Sequence, residues 1–448
     1  MEFKNKRVMV VGMAASGISA AKLLLKLGAK VYLYDAKPAS SFDLTGLSDK
    51  CVLRFEADPK SVVDECDILV MSPGVPVRIP FVDYAKSENK PVIAEIELGF
   101  LTSKADFVTI SGTNGKTTTT ALTGEIFKNA GKTTYVLGNI GIPICEHSYE
   151  TKKGDVIVAE TAALQLETID TFHPRAAALL NVTEDHLNRF KTMEYYTACK
   201  MRMFENMTEN DYAVLNKDDE LASKQAVNIK NAQLVWFSRK EEVKGAYVKD
   251  GRIVFNYGGV FAEICGADEL IIPGPHNLEN ALAATALAMV MGIEPKVIAH
   301  TLKTFKGVEH RIEFVGTVNG VSFINDSKGT NPDATIKAIN SMKAPTVLIL
   351  GGYDKNNEFD TLFSQFTDNI KNIVILGATK EKIKAAADRA GYKNYALADT
   401  FEEAVLKAYE LCEKGGNVLL SPACASWDMF KCFEQRGEVF KEIVSKLR

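Results

Sequence analysis

The chain has 448 residues, 46% of them hydrophobic and 25% charged, with a formal net charge of −4 at pH 7. That length exceeds one hydrophobic core and predicts roughly two to four domains of ordinary globular composition. The slightly acidic balance gives no electrostatic reason to expect nucleic acid as a partner, and no 18-residue apolar run is present to cross a membrane as a helix.

The opening residues Met1 to Arg7 lead directly into an apolar run rather than a secretory apolar core, so a cytoplasmic location is expected. The eight cysteines form no Cys-x-x-Cys pair, and Cys51, Cys66, Cys145, Cys199, Cys265 and Cys412 lie in or beside apolar runs. Buried free thiols in a reducing compartment are the expectation.

Val8 to Val11 reads as a buried strand, followed by Gly12-Met13-Ala14-Ala15-Ser16-Gly17 and a helical pattern through Ile18, Ala21, Leu24, Leu25 and Leu27. Gly28 caps that helix, and a second strand, Val31 to Tyr34, ends at Asp35. This is a Rossmann-like βαβ start. Ala14 stands where a dinucleotide fingerprint has its middle glycine, which leaves three readings open: a nicotinamide dinucleotide with Asp35 on a ribose, a purely structural turn, or a less intimately held diphosphate such as that of a UDP-sugar. Cys66 to Met71 is another strand, running into Ser72-Pro73-Gly74-Val75-Pro76. Ligands bind at the carboxyl ends of parallel strands, so this loop is placed beside Gly12 to Gly17, although turn chemistry alone also explains it. The domain closes at Ala94, and Glu95 to Leu98 begins the link to the next.

A second segment, 95–306, is organised around Gly112-Thr113-Asn114-Gly115-Lys116-Thr117-Thr118. An apolar β-branched run, Phe107 to Ile110, leads in, and a helical run from Thr119 to Ala130 leads out. Strand, glycine loop and helix make a phosphate cradle: backbone N–H groups approach the anion, the lysine reaches β/γ-phosphates, and the following hydroxyl can hold Mg²⁺. The loop is a shortened variant, because Ile110 stands where the usual pattern has its first glycine. Further on, Val156 to Ala159 runs as a strand into Glu160, an acid placed to serve Mg²⁺. Ala176 to Leu180 ends in Asn181-Val182-Thr183-Glu184-Asp185-His186-Leu187-Asn188, where capping competes with a metal or substrate role led by His186. Met193 to Met207 reads as a helix containing Lys200, and a lone helical lysine is ordinarily a solvated one. Asn277 and Asn280 share a face at the start of an Ala-rich helix, suited either to capping or to reading a base edge. Residues 217 to 270 alternate short strands and turns.

A third segment, 307–448, opens with His310-Arg311 and a hairpin turning at Asn319-Gly320. Strands and helices then alternate, with polar loops at Asn325-Asp326-Ser327-Lys328-Gly329-Thr330, at Gly351 to Lys355 and at Ser421 to Asp428. Together these loops predict an anion-binding wall; singly, each lysine reads as a surface residue.

Gly-Thr-Asn-Gly-Lys-Thr-Thr (112–118), Gly-Asn-Ile-Gly (138–141), Thr-Glu-Asp-His (183–186), His-Asn-x-x-Asn (276–280), His-Arg (310–311) and Asn-Asp-Ser-Lys (325–328) occur in that order. The set, spread over essentially the whole chain, resembles the Mur ligase family, the ATP-dependent amino-acid-adding enzymes of peptidoglycan synthesis. Leu-Ser-Pro-Ala-Cys-Ala-Ser (420–426) and Phe433 to Gly437 resemble its D-glutamate-adding branch. The resemblance implies an α/β chain of three domains: a Rossmann-like uridine-diphosphate domain (1–94), a central P-loop ATPase-like domain (95–306) and a Rossmann-like domain (307–448) that closes over ATP and the amino acid.

It also implies roles. Gly12, Ser16, Gly17, Asp35, Ser72, Pro73, Gly74, Asn139 and Gln165 would hold the UDP-linked substrate. Gly112 to Thr118 would cradle ATP, with Lys116 on its phosphates, Asn277 and Asn280 at adenine, and Arg311, Asp326 and Lys328 closing over it. Thr117, Glu160, His186 and a carbamylated Lys200 would bind two Mg²⁺ ions, with Lys116, His186 and Lys200 as the catalytic set. Thr330, Lys355, Ser426 and Phe433 would frame D-glutamate. The implied reaction adds D-glutamate to UDP-N-acetylmuramoyl-L-alanine through an acyl phosphate, in a cytoplasmic monomer that serves cell-wall biogenesis and takes only small-molecule substrates. One departure stands out: Ala162-Ala163-Leu164 replaces the family's usual Ser-Ser-Phe, removing a hydroxyl from the substrate or metal surroundings. Rival readings are a folate polyglutamate synthase, an NAD(P)-dependent oxidoreductase and a nucleotide-gated binding protein without turnover.

Overall fold

A computed structural model describes residues 1–139, 141–185, 187–272, 274–354 and 357–447, with the backbone alone described at Asn188 and Asp333. The chain divides into two compact units, 1–305 and 306–448.

The first unit holds two sheets. In the first sheet, β1 (Arg7–Val11), β2 (Lys30–Tyr34), β3 (Val52–Leu53), β4 (Ile68–Met71) and β5 (Val92–Ala94) run parallel in the order β3-β2-β1-β4-β5. Continuous apolar runs such as Val8 to Val11 and Ile68 to Met71 form the middle strands because both faces are buried. The helix Ala15–Lys26 covers one face with Ala20, Ala21, Leu23 and Leu24. This is the predicted Rossmann-like start.

The second sheet has nine strands: β6 (Asp106–Ser111), β7 (Thr134–Gly138), β8 (Val156–Glu160), β9 (Ala176–Leu179), β10 (Tyr212–Asn216), β11 (Gln233–Ser238), β12 (Gly245–Lys249), β13 (Arg252–Tyr257) and β14 (Val260–Gly266). Their order is β14-β13-β12-β11-β10-β9-β6-β8-β7. The strands from β7 to β12 pair in parallel, and β12, β13 and β14 end the sheet as an antiparallel meander turning at Gly258-Gly259. The helices Lys116–Asn129 and Pro275–Val290 pack one face through Leu122, Ile126, Leu282 and Leu287; Phe107, Ile157, Phe172, Tyr196 and Met203 fill the other. The parallel register sets Ile110 beside Glu160 and Glu160 beside Gly138, so the phosphate loop, the acid and the Gly138-Asn139 turn leave the sheet at one level.

The segment expected to begin a link is a helix, Glu95–Thr102, buried over Glu95 to Gly99. Glu97 accepts backbone N–H groups from Asp170, Thr171 and Phe172, and Ala94 donates to the Thr168 carbonyl, which ties the two sheets together. Glu95 is also buried. Its Oε1 accepts the Cys145 N–H at 2.7 Å, while Oε2 has no partner among the described residues. Burial pushes its carboxyl up to about 7 from an ordinary 4.5. A raised carboxyl contributes stability in full below about 4.5, and that contribution is lost as pH rises through about 7. Glu95→Gln keeps the acceptor and cannot ionise, so it is expected to match the wild type near pH 4.5 and to exceed it above neutrality by on the order of 3 kcal/mol. Denaturant unfolding of both proteins across that range checks this; equal stability at high pH contradicts it.

The second unit carries one sheet of β15 (Glu313–Val318), β16 (Val321–Asn325), β17 (Thr346–Gly351), β18 (Ile370–Leu376), β19 (Tyr395–Leu397) and β20 (Asn417–Leu420), ordered β15-β16-β20-β17-β18-β19. Only β15 is antiparallel to its neighbour, as the Asn319-Gly320 hairpin requires. Helices Pro332–Ser341, Lys380–Arg389, Phe401–Leu411 and Phe433–Lys446 accompany the strands. All eight cysteines are free thiols; Cys66, Cys145, Cys199 and Cys265 are buried as expected, whereas Cys51 and Cys412 are half-buried. Among the described residues, no helix is long and apolar enough to cross a membrane.

Candidate active site

The phosphate loop is held from behind by a residue the sequence did not single out. Asn181, the first residue past β9, accepts the N–H groups of Thr113 and Asn114 through its side-chain oxygen at 3.1 and 2.7 Å, and its amide donates to the Asn114 carbonyl. Thr113 is further tied to Thr183 in both directions, its hydroxyl donating to the Thr183 carbonyl and receiving the Thr183 N–H. Gly115 begins the Lys116 helix at φ +83, and a Cβ there would lie 2.4 Å from the Asn280 Oδ1, so only glycine fits. The loop thus meets the open N–H groups of a 14-residue helix start, which favours an anion. Thr117 is buried, while Asn114, Lys116 and Thr118 are half-buried.

Two lysines converge here. The Lys116 Nζ donates to the carbonyls of Gly112 and Thr113, each at 2.9 Å. The Lys200 Nζ donates to the same Gly112 carbonyl at 2.7 Å and lies 4.4 Å from the centroid of the Tyr196 ring. Lys200 is 1% exposed, so the expectation of a solvated lysine fails. It sits near the end of the helix Met193–Met201, shorter than the pattern to Met207 suggested, with a tighter turn at Arg202–Phe204 following. Burial, and then the neighbouring Lys116 charge, drive its amine well below the ordinary lysine range. Beside it stands Glu160, also 1% exposed. Its Oε1 accepts from the Asn139 amide at 3.0 Å, and its Oε2 is buried with no partner among the described residues. An unsatisfied carboxylate oxygen beside a phosphate loop fits a bound divalent cation.

Other predicted residues are bonded internally. Asn280 accepts the Thr119 hydroxyl and donates to Asn277 Oδ1, so the pair braces the Lys116 helix. Gln165 accepts the Ala162 N–H and is buried. In the first sheet, Asp35 accepts the N–H groups of Met13 and Lys37, and the Ser72 hydroxyl donates to the Gly12 carbonyl at 2.7 Å. A Cβ on Gly17 would lie 1.8 Å from that carbonyl, which accounts for the glycine. Ser16 is half-buried at the start of the first helix, and Pro73 and Gly74 lie on the outer part of their turn. His186 and Lys355 lie outside the described residues, as does Ile140 of the Gly-Asn-Ile-Gly motif.

In the second unit, Asp326 accepts the Ser421 hydroxyl at 2.6 Å and the Ile312 N–H at 3.2 Å; burial pushes it up to about 6. Arg311 is exposed and is flanked by His310 and Ile312 at φ +62 and +47, a conformation that costs energy for a β-branched residue and is held here by the Asp326 bond. Lys328 sends its N–H to the His310 carbonyl and its ammonium to within 5.5 Å of the Phe433 ring centroid. Thr330 is half-buried, and the Ser426 hydroxyl is buried with no partner among the described residues. Arg436, unassigned in the sequence, is 1% exposed and donates to Ser327 Oγ, the Ser327 carbonyl and the Cys424 carbonyl. It fixes the Asp326–Lys328 turn to the Ser421–Ser426 loop. Arg436→Ala strands those acceptors, and a loss of roughly 2–4 kcal/mol is expected in calorimetry or denaturant unfolding; an unchanged transition contradicts this.

Three stretches match family descriptions: residues 6–94 the Mur ligase MurD-like N-terminal domain, 110–288 the Mur ligase middle domain, and 310–424 the Mur ligase glutamate ligase domain. The chain is 48% identical to the UDP-N-acetylmuramoylalanine–D-glutamate ligase of Thermoanaerobacter pseudethanolicus and 46% identical to that of Alkaliphilus oremlandii, with 100% of each chain covered. Among solved structures, the MurF ligase of Thermotoga maritima in complex with ADP shares the fold at a TM-score of 0.57 and 18% identity, over 100% of this chain and 97% of that one. The chain belongs to the Mur ligase family.

Proposed function

We propose that the protein is an ATP-dependent ligase that joins D-glutamate to the alanyl carboxylate of UDP-N-acetylmuramoyl-L-alanine, through an acyl phosphate and with release of ADP and phosphate. The observation that carries this is the pair of lysines on the Gly112 carbonyl beside a buried carboxylate with an unused oxygen. The full-length relatives named D-glutamate ligases supply the substrate class.

ATP phosphates take the place of the loop carbonyls as acceptors of the Lys116 ammonium, and the helix start adds its N–H groups. Thr117 and Glu160 would hold one Mg²⁺ ion, and His186 with a modified Lys200 a second; ions bound there would supply charge neutralisation between the two reacting anions. Burial and the neighbouring Lys116 charge both favour the uncharged form of the Lys200 amine, the form that adds CO₂ and releases a proton to become a carbamate with anionic oxygens. The same chemistry turns a burial cost into a metal ligand.

Gly12, Ser16, Gly17, Asp35 and Ser72 to Gly74, with Asn139 and Gln165, take the UDP-linked substrate. Asn277 and Asn280 lie at adenine, and Arg311, Asp326 and Lys328 serve ATP. Thr330, Lys355, Ser426 and Phe433 receive D-glutamate, for which the unpartnered Ser426 hydroxyl is available. The D-glutamate amine attacks the acyl phosphate only in its uncharged form, so a proton leaves before the amide bond forms.

Phosphate release measured with ATP, Mg²⁺, the UDP-linked alanyl substrate and a panel of amino acids tests the reading. Release that requires ATP, the UDP-linked substrate and, among the amino acids, D-glutamate is expected. Release with no amino acid of the panel, or only without the UDP-linked substrate, overturns it.

A further inference from the structure

One part-buried ion pair of the first unit belongs to none of the roles above. Arg189 sits in the short helix Leu187–Phe190, which starts one residue after His186. Its guanidinium reaches across to the first sheet, where it donates to the Pro73 carbonyl at 2.8 Å and the Val75 carbonyl at 3.1 Å. These are the backbone acceptors of the loop whose Ser72 hydroxyl holds the Gly12 carbonyl. The same Nη2 that meets Val75 also meets Glu167 at 2.5 Å. Glu167 lies two residues beyond Gln165 and has a side chain only 3% exposed; its other oxygen accepts the Tyr195 hydroxyl at 3.1 Å. Tyr195 in turn stacks under the Arg78 guanidinium, 3.7 Å from its ring centroid. A continuous polar chain therefore runs from the segment after β8, through Glu167 and Arg189, into the 72–75 turn and on to Gly12.

We propose that Arg189 is a positioning residue: through Glu167 it fixes the 72–75 turn against the central sheet, and so sets the grip on the UDP-linked substrate without touching that substrate. This rests on the proposed role of the Gly12 and Ser72 loops. The physical reasoning is specific to arginine. Two backbone carbonyls and a carboxylate are met by one planar fork, a geometry a lysine ammonium on a flexible stem does not reproduce. Glu167 is equally committed, because removing either partner leaves the other buried without its counter-charge. A turn released from its anchor still folds but no longer presents a fixed surface to a diphosphate, and small misplacements of binding groups are costly.

The test uses the full chain and calorimetric titration with UDP-N-acetylmuramoyl-L-alanine and, separately, with a non-hydrolysable ATP analogue, alongside steady-state KM values for each substrate. Arg189→Ala and Arg189→Lys are expected to weaken the UDP-linked substrate by about tenfold or more while ATP affinity stays within about twofold. Glu167→Gln is expected to weaken the same ligand alone, and the double variant Arg189→Ala, Glu167→Gln to show less than the sum of the two effects. If Arg189→Ala does not fold, Glu167→Gln carries the test, since it keeps the size of the side chain. Unchanged affinity for the UDP-linked substrate in folded variants overturns the inference, and so does an equal loss for both ligands accompanied by a lower melting temperature. A wild type that binds the ATP analogue but no UDP-linked substrate overturns the functional reading and this inference with it.

Discussion

Lys116→Ala is expected to lower turnover by at least about 10²-fold, the scale set by loss of a charge stabiliser aimed at the reacting group. The ammonium is held by two loop carbonyls, Gly112 and Thr113, so it is already directed into the loop before any nucleotide arrives. Phosphoryl transfer to a carboxylate brings two anions together, and no solvent cation can replace a fixed one inside the loop. The variant is expected to fold normally, because the loop is braced by Asn181 and not by the lysine. Phosphate release near the wild-type rate in a folded Lys116→Ala protein contradicts the assignment.

Lys200→Ala is the second large effect. The side chain is buried against Tyr196 and the Gly112 carbonyl, and its amine is held well below the ordinary lysine range by that burial and by Lys116. A lysine kept only for packing is replaceable by a residue of similar size; a lysine that becomes a carbamate is not. Turnover is expected to fall by about 10²-fold or more, as for other losses of fixed transition-state charge. Short carboxylates such as acetate or formate, which restore an anionic oxygen in the vacated space, are expected to recover part of it. Lys200→Met with full activity, or Lys200→Ala with full activity and no dependence on added carboxylate, contradicts the carbamate.

The strands at the centre of each sheet were legible in the sequence because β-branched and aliphatic runs such as Val8–Val11, Val156–Ala159 and Val347–Leu350 end in glycine or polar loops, and parallel strands expose those loops at one edge. The strand, glycine loop and helix layout made the phosphate loop legible too, and the end of the Val156–Ala159 strand pointed to Glu160. Lys200 was not legible from its pattern, since burial of a helical lysine depends on Gly112, 88 residues earlier in the chain. Asn181 and Arg436 act on backbone groups far away in sequence, at Thr113 and Asn114 and at Ser327 and Cys424 respectively, and no local spacing announces such a bond. The burial of Glu95 and Glu97 was not legible either, because the backbone N–H groups that draw them into the interior belong to residues 145 and 170–172.

The most direct measurement places ¹⁸O in the alanyl carboxylate of UDP-N-acetylmuramoyl-L-alanine and follows both products by mass spectrometry, with D-glutamate and L-glutamate in parallel. Carboxyl activation followed by amine attack carries one carboxylate oxygen away with the phosphate. Amide product with D-glutamate alone, and one ¹⁸O atom in each phosphate released, are expected. Unlabelled phosphate, or product formed equally well from L-glutamate, would contradict the proposed reaction.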